Sequence, residues 1–291
     1  MFVYDFEIAG LTLRVITPYE LKNLFELTAF RKEYRQETVP DAVYTLRDLP
    51  EDWSVEGELV CRERQTEVYH WQGQCHRYYY WNVHSPEKYV LLTYDREDLG
   101  NYTIYLQREG REALLQQFRL SAFFAMEQLL IPHRGFQLHA SVIQWQGRGI
   151  LFCAPSGTGK STQAQLWQEY HGAEILNGDR GILRPCGDGY RVYGSPYAGT
   201  SGIYRNQFSK VSAVVTLSQA PENALTFLSQ LQAFQKLYRE TTIPAWDEES
   251  VDAISQMLAQ FVQDVPVYHL ACRPDREATE ILKAVLTKGT E

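Results

Sequence analysis

Residues 154–162 read Ala154-Pro155-Ser156-Gly157-Thr158-Gly159-Lys160-Ser161-Thr162, and their types and spacing suit the holding of a string of phosphates. Gly157 and Gly159 let the main chain come close to anionic oxygens, where a Cβ would collide. Successive N–H groups of such a loop turn inward, and a helix opening at its end adds the positive pole of its dipole. The Lys160 amine can then bridge β- and γ-phosphate, and the Ser161 hydroxyl can reach Mg²⁺. Ser156, Thr158 and Thr162 complete the binding set. The Walker A pattern G-x-x-x-x-G-K-[ST] has Gly where this chain has Ala154, a departure of one methyl that is strained only at positive φ. The competing reading is an ordinary glycine turn with an exposed lysine. The order of strand, loop and helix around the segment favours nucleotide binding, with ATP and Mg²⁺ as the expected ligands.

A phosphate cradle does not by itself transfer phosphate, so a group that handles an acceptor is needed. Asn177-Gly178-Asp179-Arg180 closes the next strand, and if that strand lies beside the loop strand in a parallel sheet, its end opens onto the same crevice. Asp179 would there bind Mg²⁺ or take a proton from an attacking hydroxyl. It also suits a plain turn residue in Gly-Asp-Arg-Gly. His139, in Phe136-Gln137-Leu138-His139-Ala140-Ser141, is either a satisfied core histidine or a participant in the site. Arg205 follows a second glycine- and proline-marked loop, residues 194–199, and is either a phosphate clamp or a solvated surface arginine.

The elements that must position these groups can be read from hydrophobic periodicity. Residues 1–120 are rich in Tyr, Val, Trp and Thr in short alternating stretches, and read as a small, mainly β domain that meets substrate or partner. One helical insertion is expected over Pro18 to Phe30. From Glu112 the apolar residues fall three or four apart up to Leu130, which predicts a buried helix linking the two halves. Residues 121–291 read as an α/β nucleotide-binding domain. Its expected strands are Phe136 to Ile143, Gly149 to Ala154, Ala173 to Asn177, Gly181 to Arg184, Tyr190 to Tyr193, Val211 to Leu217 and Val267 to Ala271. Helices are expected over Lys160 to Tyr170, Asn223 to Tyr238, Glu248 to Val262 and Asp275 to Leu286.

The composition narrows the classes of function. With 291 residues, 44% of them hydrophobic, the chain can bury a core and is not intrinsically disordered. A net charge of -8 supplies no field for a phosphate backbone or an anionic lipid, so neither nucleic acid nor a membrane is an expected partner. No stretch approaches the length of a membrane span, and Met1-Phe2-Val3-Tyr4-Asp5 lacks the basic start of a signal peptide, which points to the cytoplasm. Five scattered cysteines without a C-x-x-C spacing argue against both a disulfide frame and a zinc site. The sequence does not set the oligomeric state, and a homo-oligomer is compatible with it.

The order His139, then Ser156-Gly157-Thr158-Gly159-Lys160-Ser161-Thr162, then Asp179-Arg180 resembles the catalytic domain of the HPr kinase/phosphorylase family, which shares the phosphoenolpyruvate-carboxykinase-like nucleotide fold. The resemblance spans roughly residues 130–290. It implies an ATP- and Mg²⁺-dependent kinase acting on a hydroxyl, with His139 and Asp179 handling acceptor and metal. The acceptor so implied is a serine of a peptide or protein, with a small molecule as an alternative. Gly178 stands where the family has the first acid of a pair, so the roles of base and metal ligand converge on Asp179. No stretch matches the HPr-docking portion of the family's named members. A nucleotide-gated binding module without transfer is the competing class of function.

Overall fold

The alternating stretches of the front section do pleat. The computed structural model describes residues 1–63, 65–82, 85–109, 111–112, 115 and 119–288. It divides into two compact units, Met1–Leu129 and Leu130–Glu291. The first holds a nine-stranded sheet of β1 (Phe2–Ile8), β2 (Leu11–Thr17), β3 (Arg31–Lys32), β4 (Ala42–Asp48), β5 (Glu58–Glu63), β6 (Thr66–Trp71), β7 (Gln74–Asn82), β8 (Ser85–Asp95) and β9 (Asn101–Leu106). Their spatial order is β3-β1-β2-β4-β9-β8-β7-β6-β5. Leu11, Leu13 and Val15 point inward from β2 at every second position, as do Tyr102, Ile104 and Leu106 from β9, which is the pattern of a half-buried strand.

Two expected helices in this region take other forms. In place of a helix over Pro18 to Phe30 there is a short 3₁₀ helix of six residues, Phe25–Phe30. Phe25 has φ 46°, a left-handed backbone that interrupts any helix running through it. The linking helix expected from Glu112 is likewise not continuous. A 3₁₀ turn at Leu120–Phe123 and a four-residue helix α1 (Met126–Leu129) are separated by Ala125 at φ 43°. Residues 113–114 and 116–118 of that expected helix lie outside the described residues.

The second unit is mixed α/β. Its strands are β10 (Phe136–Trp145), β11 (Arg148–Cys153), β12 (Glu174–Asn177), β13 (Arg180–Cys186), β14 (Gly189–Tyr193), β15 (Phe208–Gln219), β16 (Ala224–Phe227) and β17 (Val267–Cys272). Its helices are α2 (Lys160–His171), α3 (Gln230–Tyr238), α4 (Glu248–Asp264) and α5 (Arg276–Lys288). The helix expected from Asn223 begins only at Gln230. Ser229 caps it in a reciprocal pairing with Gln232, while Ala224–Phe227 instead pairs with β17 as an edge strand.

β10, β11, β13, β14 and β15 pair in a closed ring: β11 with β10, β10 with β13, β13 with β14, β14 with β15, and β15 back with β11 in parallel. β17 extends from β15, also in parallel. The strand that ends at Asn177 does not lie beside the loop strand as the sequence suggested. β12 pairs with β10, antiparallel, and β11 does the same on the other side of β10. β11 and β12 therefore run in the same direction with β10 between them, and Cys153 and Asn177 end opposite Ala140 and Val142 at one edge of the sheet.

Both faces of this sheet are covered. Leu151 and Cys153 of β11 turn toward a core shared with Ile254, Leu258 and Phe261 of α4. Ile150 and Phe152 turn toward Ala164 and Trp167 of α2 and toward Leu282 of α5. A strand buried on both faces reads as a continuous apolar run, which is why Gly149 to Ala154 was recognisable. Trp167 is fully buried, with its ring centroid 5.3 Å from that of Trp145 and 4.9 Å from that of His171, and it fixes α2 against the sheet. Trp167→Ala is expected to lower the unfolding free energy by about 3–5 kcal/mol, read from the urea midpoint. A loss below about 1 kcal/mol would mean that α2 is not anchored there.

Candidate functional site

The loop between β11 and α2 takes the shape its residues allow. Gly157 has φ 80° and Gly159 φ 124°, values an L side chain rarely adopts. Ala154 is not among the residues with left-handed backbone, so its extra methyl brings no strain. Gly159 stands at the N-cap of α2, where no side chain caps the first amides, and no acid lies in the first turn. The helix thus begins with free N–H donors and the positive end of its dipole unopposed. Lys160 is buried rather than exposed on a turn, and its Nζ donates to the Ala154 carbonyl at 2.6 Å. Burial pushes its amine below the ordinary lysine range, against the opposing pull of Glu240 and Asp179.

A cleft of about 350 Å³ opens over this loop, lined by Ser156, Gly157, Gly159, Lys160, Ser161 and Thr162 together with His139, Gly178, Asp179 and Thr200. The residues singled out from sequence on β10, in the loop and after β12 therefore share one wall. Thr158 borders the adjoining side of the loop.

Asp179 is held by its neighbours on every side. The Asn177 carboxamide oxygen accepts from the Asp179 and Arg180 amides at 2.8 and 2.7 Å, and its nitrogen donates to the Ser195 carbonyl at 2.9 Å. Ser195 Oγ in turn donates to the Arg180 carbonyl at 2.6 Å. This makes the Asn-Gly-Asp-Arg turn a rigid bracket. Gly199, at φ 55°, lies so near that a Cβ on it would stand 2.7 Å from Asp179 Cγ. At Gly178 a Cβ would overlap Ser201 Oγ. The absence of a second acid at that position is thus built into the packing.

His139 Nε2 faces Asp179 Oδ1 at 3.2 Å, and Nδ1 faces Glu240 Oε2 at 3.1 Å. With an acceptor at each nitrogen the ring is best satisfied when doubly protonated. The hydrogen bond to Asp179, then that to Glu240, raises the His139 pKa above the ordinary histidine value. The same bond from His139, with Arg180 and Lys160 nearby, keeps the Asp179 carboxyl below the ordinary aspartate range despite partial burial. His139 is thus neither an apolar core residue nor isolated.

Glu240 is the member that sequence reasoning missed. It follows α3, 101 residues after His139, in no recognisable motif. Backbone pairing brings it in. Beyond the end of β11 the free edge of β10 is taken up by residues 240–242, with His139 N–H donating to the Glu240 carbonyl at 2.7 Å and Thr242 N–H to Gln137 at 3.0 Å. Arg180, which has Asp179 Oδ2 3.8 Å from its Nε, reaches Thr242 Oγ1 at 2.8 Å in the same segment.

Arg205 is placed elsewhere. Its guanidinium pairs with Glu174 at 2.6 Å and donates to the Ile175 carbonyl at 3.1 Å, so it braces β12 and does not line the cleft. The two residues expected to meet a metal, Ser161 and Asp179, both do line it. Among the described residues no group of three or more His, Cys, Asp or Glu forms a self-sufficient metal centre. One carboxylate and one hydroxyl suit Mg²⁺, which takes its other ligands from phosphate and water.

No family model and no curated protein matches the sequence. Among solved structures the chain is similar to the Hpr(Ser) kinase/phosphatase from Coxiella burnetii, at 13% sequence identity over 53% of this chain and 88% of that one, with a TM-score of 0.30. No described helix is long and apolar enough to cross a membrane.

The two shifts in the His139–Asp179 pair set a pH dependence. A raised histidine contributes stability in full below its ordinary value of ~6.5 and loses it as pH climbs through the folded value. A lowered aspartate contributes in full above ~3.9 and loses it as pH falls through its folded value. The pair is therefore most stabilising between about pH 4 and 6.5. The stability gap between the wild type and His139→Gln should narrow as pH is raised from about 6 to 9, read as melting temperature against pH. A gap that stays constant would contradict the ion pairing.

Proposed function

We propose that this protein is an ATP- and Mg²⁺-dependent kinase that transfers the γ-phosphoryl group to a hydroxyl, that of a serine on a peptide or protein. The observation that carries the reading is the sharing of one cleft by an uncapped helix start with its buried lysine and by the His139–Asp179 pair. The first gives an anion site, and the second an ionised acid aimed into it. The seryl acceptor rests on the resemblance of the motif set to the HPr kinase/phosphorylase family.

In this reading the loop amides from Ser156 to Thr162 and Lys160 hold the phosphates, and Ser161 with Asp179 would hold Mg²⁺, which supplies charge neutralisation of the transferring group. Asp179 also orients the acceptor hydroxyl and takes its proton as the new oxygen–phosphorus bond forms. The bond that breaks is the one joining γ-phosphorus to the bridging oxygen, and the nucleoside diphosphate leaves with that electron pair. The transition state of such transfers is loose, so little basicity is required, and an acid kept ionised by His139 serves for positioning. His139, itself tied to Glu240, holds Asp179 in place and keeps it charged.

Asp179→Asn is expected to leave Mg-ATP affinity within a few-fold while lowering transfer at least about 10²-fold, measured by calorimetry and by label transfer to serine peptides and small alcohols. Lys160→Ala should weaken Mg-ATP binding about 10- to 100-fold. Unchanged turnover in Asp179→Asn would refute the role given to it. Tight binding without transfer across the acceptor panel would favour a nucleotide-gated binding module.

A further inference from the structure

After β14 a glycine-marked loop, residues 194–202, runs past the Asn-Gly-Asp-Arg turn. It comes very close to the acid of the candidate site, since a Cβ built on Gly199 would stand 3.0 Å from Asp179 Oδ1. Two left-handed glycines, Gly199 at φ 55° and Gly202 at φ 64°, bracket the turn, and the first permits an approach that a side chain would block. Thr200 is the next residue along the chain, and it lines the same cleft as Lys160, Ser161 and Asp179. Neighbouring Cα atoms are about 3.8 Å apart, so its side chain starts within one residue of contact with the carboxylate.

The other hydroxyl groups around this turn are engaged. Ser195 Oγ is buried and donates to the Arg180 carbonyl at 2.6 Å. Ser141 Oγ is buried and donates to the Gly178 carbonyl at 3.0 Å. Ser201 Oγ donates to the Ala198 carbonyl at 2.7 Å and accepts from the Ile203 amide at 3.2 Å. Each of these protons is committed to a carbonyl, and none of the three residues borders the cleft. Ser156, Ser161 and Thr162 belong to the glycine loop itself. Thr200 differs from all of them. It is exposed, and among the described residues its hydroxyl makes no hydrogen bond. A phosphoryl acceptor needs an accessible oxygen and a group that takes its proton, and Thr200 beside Asp179 has both.

We infer that Thr200 is a phosphoryl acceptor within its own chain, and that its phosphorylation closes the cleft to further turnover. The inference rests on the kinase reading given above. In the step, Thr200 Oγ1 forms a bond to the γ-phosphorus, the bond from that phosphorus to the bridging oxygen breaks, and the nucleoside diphosphate leaves with the electron pair. The hydroxyl proton passes to Asp179 and from there to water. The product carries about −1.5 to −2 charges at neutral pH beside Asp179. It stands on the flank where the γ-phosphate of a second nucleotide would meet an outside acceptor. Like charges in a half-enclosed cleft repel, so the modified chain binds Mg-ATP more weakly and is a slower kinase toward other acceptors.

The test incubates the full chain with magnesium and γ-labelled ATP, without added acceptor, and locates the label by phosphopeptide mass spectrometry. Expected are label confined to Thr200 and an initial rate per chain that is independent of protein concentration. Thr200→Ser should keep the label and Thr200→Val, of the same shape, should lose it, with melting temperatures reporting that both variants are folded. Asp179→Asn should slow the labelling at least about 10²-fold. After full labelling and removal of nucleotide, Mg-ATP affinity by calorimetry should fall at least about tenfold. Label on another residue, or a rate per chain that rises with protein concentration, would overturn the acceptor within the chain. Unchanged Mg-ATP affinity in the fully labelled protein would overturn the closing of the cleft. Transfer to serine peptides with no label on Thr200 would overturn this inference and leave the kinase reading standing. Transfer to neither would remove both.

Discussion

An imidazole held between two carboxylates organises this site. Asp179 arrives from the turn after β12 and Glu240 from the segment after α3, and His139 on β10 has a nitrogen for each. Either acid alone beside a buried lysine would suffer from desolvation. Together with His139, Arg180 and Lys160 they form an alternating set of charges in which each anion has a cationic neighbour. The arrangement keeps an aspartate ionised inside a half-enclosed cleft, which is the electrostatic condition for meeting a cation or a polarised hydroxyl.

That arrangement is possible because of the position of β10. It is flanked by β11 on one side and by β13 and β12 on the other, and where β11 ends, residues 240–242 take over the vacant edge. One strand therefore sets the register of the glycine loop, the aspartate turn and the glutamate segment. Small errors in any one of them would be shared by the others. Ser141 adds a further tie, donating to the Gly178 carbonyl at 3.0 Å from the same strand.

The parts that were legible in the sequence were those whose physics is local. The glycine loop could be read because positive φ, amide exposure and a lysine must fall within a few residues of one another. The ends of β12 and α2 followed from apolar runs and turn residues. Glu240 was not legible, because only long-range strand pairing places it near His139. The role of Arg205 was open for a similar reason, since its partners Glu174 and Ile175 lie on another element. Ala224–Phe227 has the composition of a helix start but finds an open strand edge on β17, and tertiary pairing decided the outcome. The helix expected from Glu112 is interrupted by a left-handed alanine that no periodicity announces.

The cyclic pairing of β10, β11, β13, β14 and β15 bears on how the protein reaches its working form. Its last seam joins Arg148 to Lys210 and Cys153 to Thr216, residues far apart along the chain. Contacts of such separation form slowly, because the intervening segment must be confined before they can be made. The strand that carries the glycine loop gains its second neighbour only with that seam. The support of the glycine loop by strands on both sides therefore depends on a pairing between residues 148–153 and 210–216, distant in sequence.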